Sequence, residues 1–331
     1  MTPAEPLRLV LLGASGFVGS AVLRAVLGGG ARAPLVHALV HHTRPKAIAP
    51  YIRLFPGSVT ALPDGLLPDA PHVILHCASK QIDRDGSGYG VNPDGIAALA
   101  AAATSQTRAV LFLSSFSVYG EAAQLGITED VAPRPDSSLA RSRAACEAQL
   151  EALAAAGRFA VASLRTRLIV GRGDRHVLPA LLRLAQSRIA IGSGTQRLTI
   201  IDVDDLAQVL LRLAENMLRE DPQRPGFTAY NTGYHRPIAV GEIFELIAQR
   251  FGTLRPLWRL PADQRLIRAL RALPSRRLRE TAQRLQLIGA DHYGSIARLE
   301  MQLGGRLLAT DPREAIRRAT LALFMEQQAW H

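Results

Sequence analysis

Three glycines at positions 13, 16 and 19 are the residues whose type and spacing point most directly to chemistry. They lie in LRLVLLGASGFVGSAVLRAVL, between an apolar run that reads as a buried strand and a run of helical period. A strand, a glycine turn and a helix N-terminus in that order cradle a pyrophosphate. Gly13 permits the tight turn, Gly16 lets the backbone approach the phosphates, Gly19 lets the helix pack on the strand, and the free amides of the first helical turn favour negative charge. The context predicts a dinucleotide site with Gly13, Ser15, Gly16, Phe17, Val18 and Gly19 around the cofactor. The low charge from Leu9 to Leu27 could also belong to a signal or membrane segment, but the glycines interrupt it and no cleavage site follows.

These residues need a scaffold, and the hydrophobic pattern describes one. Apolar runs at Leu7 to Leu12, Leu35 to Val40, His72 to Cys77, Ala109 to Ser114 and Phe159 to Val170 read as buried strands separated by alanine-rich helices. That alternation implies a parallel sheet covered on both faces. The expected fold class is α/β: a Rossmann-type, doubly wound parallel sheet with a smaller mixed C-terminal substrate domain. Residues 1–170 would form the dinucleotide-binding domain, with a returning strand and helix at about 197–216. Residues 171–196 and 217–331 would form the substrate and cover region. At 331 residues and 48% hydrophobic content the chain can bury such a core.

The spacing GASGFVG resembles the GxxGxxG of short-chain dehydrogenases and of the NAD-dependent epimerase/dehydratase group, the extended branch of that family. The resemblance runs down nearly the whole chain. VILHCAS is similar to the family's fourth strand, VNPDGIAALAAAA to its asparagine-bearing helix, and VLFLSSFSVYG to the strand with the active-site serine. IVGRGD, GSGTQRLTIIDVDDLA and DHYGSIARLEMQLGG match the looser patterns of the substrate half. By this resemblance Ala78 and Ser79, after the fourth strand, border the cofactor. At the end of the second strand, where NAD enzymes of this build place an acid for the ribose hydroxyls, the sequence reads ALVHHTRP. His41 takes the acid's place and Arg44 offers a guanidinium to a 2′-phosphate, which favours NADP(H) over NAD(H). The alternative is an Arg44 that is merely solvated.

The resemblance implies a Ser or Thr that holds the reacting oxygen, a Tyr that transfers the proton, and a Lys four residues on that lowers the tyrosine's pKa. That spacing stacks the last two on one helix face. Position by position, the serine is Ser115 and the helix asparagine is Asn92. Glu147 matches a glutamate that follows the YxxxK segment, which sets Leu139 at the tyrosine and Arg143 at the lysine of SSLARSRAACE. Leucine carries no proton. Arginine keeps a charge that can hold the nicotinamide ribose but titrates too high to act as a base. Loss of a general acid or base commonly removes about 10² to 10⁴ in rate. Tyr119 is a weak substitute, read instead as a packed tyrosine. His76 is expected to be a satisfied core histidine, Ser137 and Ser138 to cap a helix, and Lys80 and Tyr89 to lie on the loop after the fourth strand.

Arg165, Arg167, Arg172 and Arg197 are the expected substrate contacts, and they imply an anionic substrate such as a sugar nucleotide or a similar hydroxy or keto compound. Pairing with Asp174, Asp202, Asp204 and Asp205 would make them structural instead. The net charge of +11 comes almost entirely from arginine, since Lys46 and Lys80 are the only lysines. No basic patch interleaved with aromatics is present, so the expected partner is a small anionic molecule and not nucleic acid. Cys77 and Cys146 lack metal-ligand spacing; no metal is expected, and a reduced, cytoplasmic setting fits. The stripe Leu266, Ile267, Leu270 and Leu273 is expected to pack on its own domain in preference to a membrane surface. The resemblance further implies a homodimer joined through the helices that include residues 92–104 and 137–156. Three functions follow: an NADP(H)-dependent oxidoreductase or epimerase-type enzyme with a non-standard active site, a catalytically silent cofactor-binding sensor or scaffold, or a non-redox cyclase, lyase or isomerase using the same pocket.

Overall fold

A computed structural model describes residues 7–30, 33–45, 48–219, 226–261, 267, 269–270, 272–275, 282, 285–286, 288–304 and 308–328. In chain order the first half holds β1 (Arg8–Leu12), α1 (Phe17–Leu27), β2 (Leu35–Val40), β3 (Ile52–Pro56), β4 (His72–His76), α2 (Val91–Ala102), β5 (Thr107–Ser115), β6 (Gln124–Ile127) and α3 (Ser138–Ala155). The second holds β7 (Ala160–Thr166), β8 (Leu168–Val170), α4 (Val177–Gln186), β9 (Ile189–Ile191), β10 (Arg197–Leu198), β11 (Ile200–Asp202), α5 (Val203–Arg219) and β12 (Phe227–Thr232). It closes with β13 (Ile238–Ala239), α6 (Val240–Phe251), β14 (Trp258–Leu260), β15 (His292–Gly294), α7 (Ala297–Leu303) and α8 (Pro312–Gln328).

The main sheet has seven strands in the order β12-β7-β5-β4-β1-β2-β3, all parallel. Its two faces are both apolar because residues alternate across a strand with period two. Leu9, Leu11, Leu75, Leu111 and Leu113 join one core with α1, α4 and α5. Val10, Leu12, Ile74, Val110 and Phe112 join the other, with Leu99 of α2 and Cys146 and Leu150 of α3. The carboxyl ends of β1, β4 and β5 therefore converge between helices, where the glycine turn and Ser115 sit.

The smaller mixed sheet runs β13-β10-β15-β6. Here the structure differs from the pattern read along the chain. The run from Phe159 to Val170 is two strands: β7 stays in the main sheet, and after Arg167 the chain turns so that β8 pairs with β11. The strand near 197 does not return to the main sheet either, because β10 pairs with β13 and β15. Only α5 returns, packing beside α1 with an Arg24–Asp204 ion pair of 2.6 Å. The sheet edge is closed instead by β12, a strand whose Asn231 and Thr232 are wholly buried yet polar, so it lacked the apolar signature. The short β3 was hidden in the same way by Arg53 and Pro56.

Ser137 caps α3, its hydroxyl accepting from the Ala140 amide at 3.2 Å, as capping chemistry predicts. Of the apolar stripe, Ile267 is buried and Leu270 packs on the main core, Leu273 is exposed, and Leu266 lies outside the described residues, as does Lys46. Among the described residues no helix is long and apolar enough to cross a membrane, and no group of three or more His, Cys, Asp or Glu side chains could hold a metal ion.

Candidate functional site

The glycine turn is built so that side chains are excluded. Gly13 has φ +88, and a Cβ there would come within 2.7 Å of the Ala78 amide nitrogen. A Cβ on Gly19 would meet the Gly13 carbonyl oxygen at 2.1 Å. Gly13 must therefore be left-handed and bare, and Gly19 must be bare for α1 to lie against the turn. The Gly16 amide closes the turn onto the Gly13 carbonyl at 3.0 Å, and Gly16 itself is exposed at the start of α1. The first turn of α1 carries no acidic residue, so its amides meet nothing that would repel a pyrophosphate. Ser15 and Phe17 are half-buried beside it, while Val18 is buried in the core. At the end of β2, His41 and Arg44 are both exposed, and the His41 ring lies tilted at 49° against His42 with centroids 3.6 Å apart. These residues fit a dinucleotide: the turn and α1 would hold the pyrophosphate, and the His41–Arg44 segment would face the adenosine end.

The loop after β4 is held by two devices. The Asn92 carboxamide oxygen accepts from the Lys80 amide (2.8 Å) and from Ser79 Oγ (3.3 Å), while its Nδ2 donates to the Lys80 carbonyl (3.2 Å) and to Ser142 Oγ (3.1 Å) on α3. Asn92 thus ties the loop carrying Ala78 and Ser79 to the helix, and its amide is fully used. Lys80 Nζ spends its three donors on Asp83 (2.7 Å), Asp85 (2.5 Å) and Ser87 (2.8 Å). Its hydrogen bonds to the Asp83 and Asp85 carboxylates raise its pKa, so it is a fixed cation, not a base. Tyr89 is half-buried at the end of this loop.

Ser115 ends β5 in register with Thr166 of β7. It caps the short 3-10 turn Phe116–Tyr119 by accepting from the Ser117 amide at 3.1 Å. That bond uses an oxygen lone pair, so the half-buried hydroxyl keeps its own proton available to a ligand oxygen.

Leu139 is half-buried near the start of α3. Arg143, one turn on, is buried and donates through Nη1 to the Leu113 carbonyl; its plane lies over Phe112 at 5.9 Å, and Nε has no partner. Burial lowers its pKa to about 10. His76 lies nearby at the end of β4 and is buried, as the sequence suggested, but it is not satisfied: neither ring nitrogen has a hydrogen-bond partner. Burial, backed by the Arg143 charge, lowers its pKa to about 4 and keeps the ring neutral.

Arg165 is placed differently from expectation. It donates to both carboxylate oxygens of Glu147, at 3.1 and 2.7 Å, and to the Tyr119 hydroxyl at 2.8 Å, with its side chain 4% exposed. The Tyr119 hydroxyl in turn donates to Asn231 Oδ1 at 2.8 Å. Burial pulls the Arg165 pKa down, but Glu147 outweighs this and holds it above its ordinary value. A guanidinium paired with a buried carboxylate locks α3 to β7, and three of its five N–H donors are used on Glu147 and Tyr119. The same network makes Tyr119 a structural tyrosine, its pKa raised by burial against the pull of Arg165. Glu147 was legible only as a motif landmark; its charge, four residues from Arg143 in an alanine-rich helix, was the signal that it needed a buried partner.

The remaining arginines separate. Arg167 is half-buried at the break between β7 and β8, Arg172 is exposed in the following turn, and Arg197 lies over the Tyr293 ring at 4.4 Å and donates to its hydroxyl at 2.7 Å. Arg197 does not pair with the aspartates near 202; it is 3.7 Å from Asp291. Asp174 caps α4 by accepting from the amides of His176, Val177 and Leu178.

The model of the NAD-dependent epimerase/dehydratase family matches residues 9–233, two-thirds of the chain and the whole of this turn, loop and serine arrangement. The chain belongs to that family. No curated protein matches its sequence. Among solved structures, this epimerase/dehydratase-family chain is similar in fold to a UDP-galactose 4-epimerase, with 21% identity, a TM-score of 0.69, and coverage of 97% of this chain and 99% of that one. It is also similar to MoeE5 in complex with UDP-glucuronic acid and NAD (22%, 0.70, 96% and 99%). The Bordetella bronchiseptica enzyme WbmH in complex with NAD+ is a third (17%, 0.71, 97% and 99%). In the family member described here, fold and glycine turn are the family's, while Arg143 and Arg165 are committed to the protein's own backbone and carboxylate.

Proposed function

We propose that the chain binds a nicotinamide dinucleotide in the glycine crevice and acts on a sugar nucleotide, or a similarly anionic hydroxy or keto compound, by epimerase- or dehydratase-type redox chemistry with non-standard proton handling. The reading rests on the glycine turn, where Gly13 and Gly19 leave no room for a Cβ and the first amides of α1 stand clear of acidic side chains. A bound nicotinamide supplies hydride transfer. The chain's own residues do the rest. Ser115 donates its hydroxyl proton to the substrate oxygen, Asn92 and Lys80 fix the loop that walls the site, and Arg143 places positive charge beneath it. With Leu139 at the position the family resemblance gives to tyrosine, the proton passes to water or to the substrate itself. Arg44 favours NADP(H) over NAD(H), and two copies would pair through α2 and α3.

A second reading is favoured by one observation: Arg143 spends Nη1 on the Leu113 carbonyl and Leu139 cannot ionise. It is a cofactor-binding protein without turnover. Titration with NADH and NADPH for affinity, followed by chromatographic analysis of a panel of UDP-sugars incubated with the protein and NAD+ or NADP+, separates the two. Saturable binding with turnover, reduced about 10²-fold by Ser115→Ala, is the result expected of the enzyme. Stoichiometric binding without conversion of any UDP-sugar assigns the silent role, and no binding of either cofactor overturns both.

A further inference from the structure

One surface corner, where β14 meets β9, is both apolar and basic and has no role in the arrangement above. Leu254, Leu257 and Trp258 are 65%, 64% and 72% exposed. They are three of the four most exposed large apolar side chains among the described residues, and they fall within five consecutive positions. Single exposed apolar residues are ordinary, whereas a local group of them marks a contact surface.

The segment that carries them is tied down. The Leu257 amide donates to the Arg188 carbonyl at 2.8 Å, and the Gly192 amide donates to the Leu260 carbonyl at 2.9 Å. Between these bonds β14 pairs in parallel with β9, Trp258 opposite Ile189 and Leu260 opposite Ile191. Arg188 Nε donates to the Arg255 carbonyl at 3.2 Å, and Arg259 Nη1 to the Gly192 carbonyl at 2.7 Å. The backbone is therefore anchored while the apolar side chains stay in water. The apolar stripe that follows behaves differently, since Ile267 is buried and Leu270 packs on the main core. The surroundings carry one sign of charge. Residues 183–192 and 250–261, the two stretches that meet here, contain five arginines and no acidic residue. Arg250, Arg255 and Arg259 are exposed on the same segment as the apolar group.

We propose that Leu254, Leu257 and Trp258, with Arg250, Arg255 and Arg259, form a docking surface for an anionic lipid bilayer. The side-chain chemistry sets the choice. An indole ring favours the headgroup level of a membrane, with its apolar body and polar N–H. Two leucines beside it can enter the acyl boundary, and arginines lay their stems on apolar surface while their guanidinium groups reach lipid phosphates. Single-stranded nucleic acid would stack on Trp258 and meet the arginines, but offers nothing to the two leucines. A second copy docked here about a two-fold axis would set arginines against arginines. The surface is independent of the nucleotide-sugar reading, and neither falls with the other.

The test is sedimentation of the full chain with sucrose-loaded vesicles, made of phosphatidylcholine alone or of equal parts phosphatidylcholine and phosphatidylglycerol. The anionic vesicles should bind the protein more tightly by about tenfold or more, and high salt should shrink the difference. In a Trp330→Phe background, the emission of Trp258 should shift to the blue on binding. The double variant Leu257→Ser, Trp258→Ser should weaken binding to the anionic vesicles by about tenfold or more and leave the melting midpoint of the lipid-free protein unchanged, because both side chains are exposed. Failure to sediment with either vesicle overturns the docking surface. So does sedimentation that the double variant retains, which would come from the net charge of +11 alone. Loss of self-association in the double variant, read as mass by light scattering without lipid, assigns the patch to a second copy and overturns the proposal as well.

Discussion

Replacing Glu147 with alanine removes the carboxylate that pairs with Arg165, whose side chain is 4% exposed, and leaves that guanidinium without its counter-charge inside the protein. Glu147 accepts from Ser163 at 2.9 Å and from Arg165 at 3.1 and 2.7 Å. Breaking a buried pair from one side costs about 3–5 kcal/mol. With an unfolding entropy of about 2.1 cal/mol/K per residue, a chain of 331 residues should lose about 4 to 7 °C of melting midpoint by calorimetry. The double variant Glu147→Met, Arg165→Met replaces both charges with apolar volume and should recover most of that loss, since such pairs are often matched by well-packed hydrophobes. It should also keep wild-type affinity for NADH and for UDP-glucose, because Arg165 faces Glu147 and Tyr119. A midpoint within about 1 °C of wild type in Glu147→Ala, or a loss of nucleotide affinity in the double variant, would refute the reasoning that Arg165 is spent on structure.

Gly19→Ala should weaken NADH and NADPH alike by about tenfold or more, because a Cβ 2.1 Å from the Gly13 carbonyl pushes α1 off the turn; unchanged cofactor affinity in fluorescence titration contradicts this. Acid should destabilise the fold through two histidines. Above pH 6.5 both states hold neutral imidazoles; as pH falls, the unfolded chain takes up protons that the folded chain refuses until about pH 4 at His76 and about pH 3 at His292. Stability is therefore lost from pH 6.5 downward, and in urea melts between pH 7 and 4, His76→Leu should flatten the slope. Arg44→Ala should weaken NADPH about tenfold and leave NADH within about twofold; equal losses for both cofactors would remove Arg44 from the 2′-phosphate.

The glycine turn, the alternation of strands and helices, and the serine at the end of β5 were legible in the sequence because each is a local demand. A positive φ, a helix start or a period of apolar residues is written into neighbours along the chain. Strand membership was less legible where polarity hid it: Asn231 and Thr232 of β12 are buried because Tyr119, Glu129 and the β7 edge satisfy them from more than sixty residues away. The split at Arg167 was hidden too, since only the pairing of β8 with β11 draws the chain out of the main sheet.

The candidate site divides along the same line. Residue type alone determined that Leu139 cannot ionise and that Gly13, Gly16 and Gly19 can bare a backbone to phosphate. Only the tertiary structure decided that Arg165 is paired with Glu147 and that Asn92 serves a loop. Charges and amides carry no periodic signal of their own, and what they do is set by which distant group folding brings within hydrogen-bond reach.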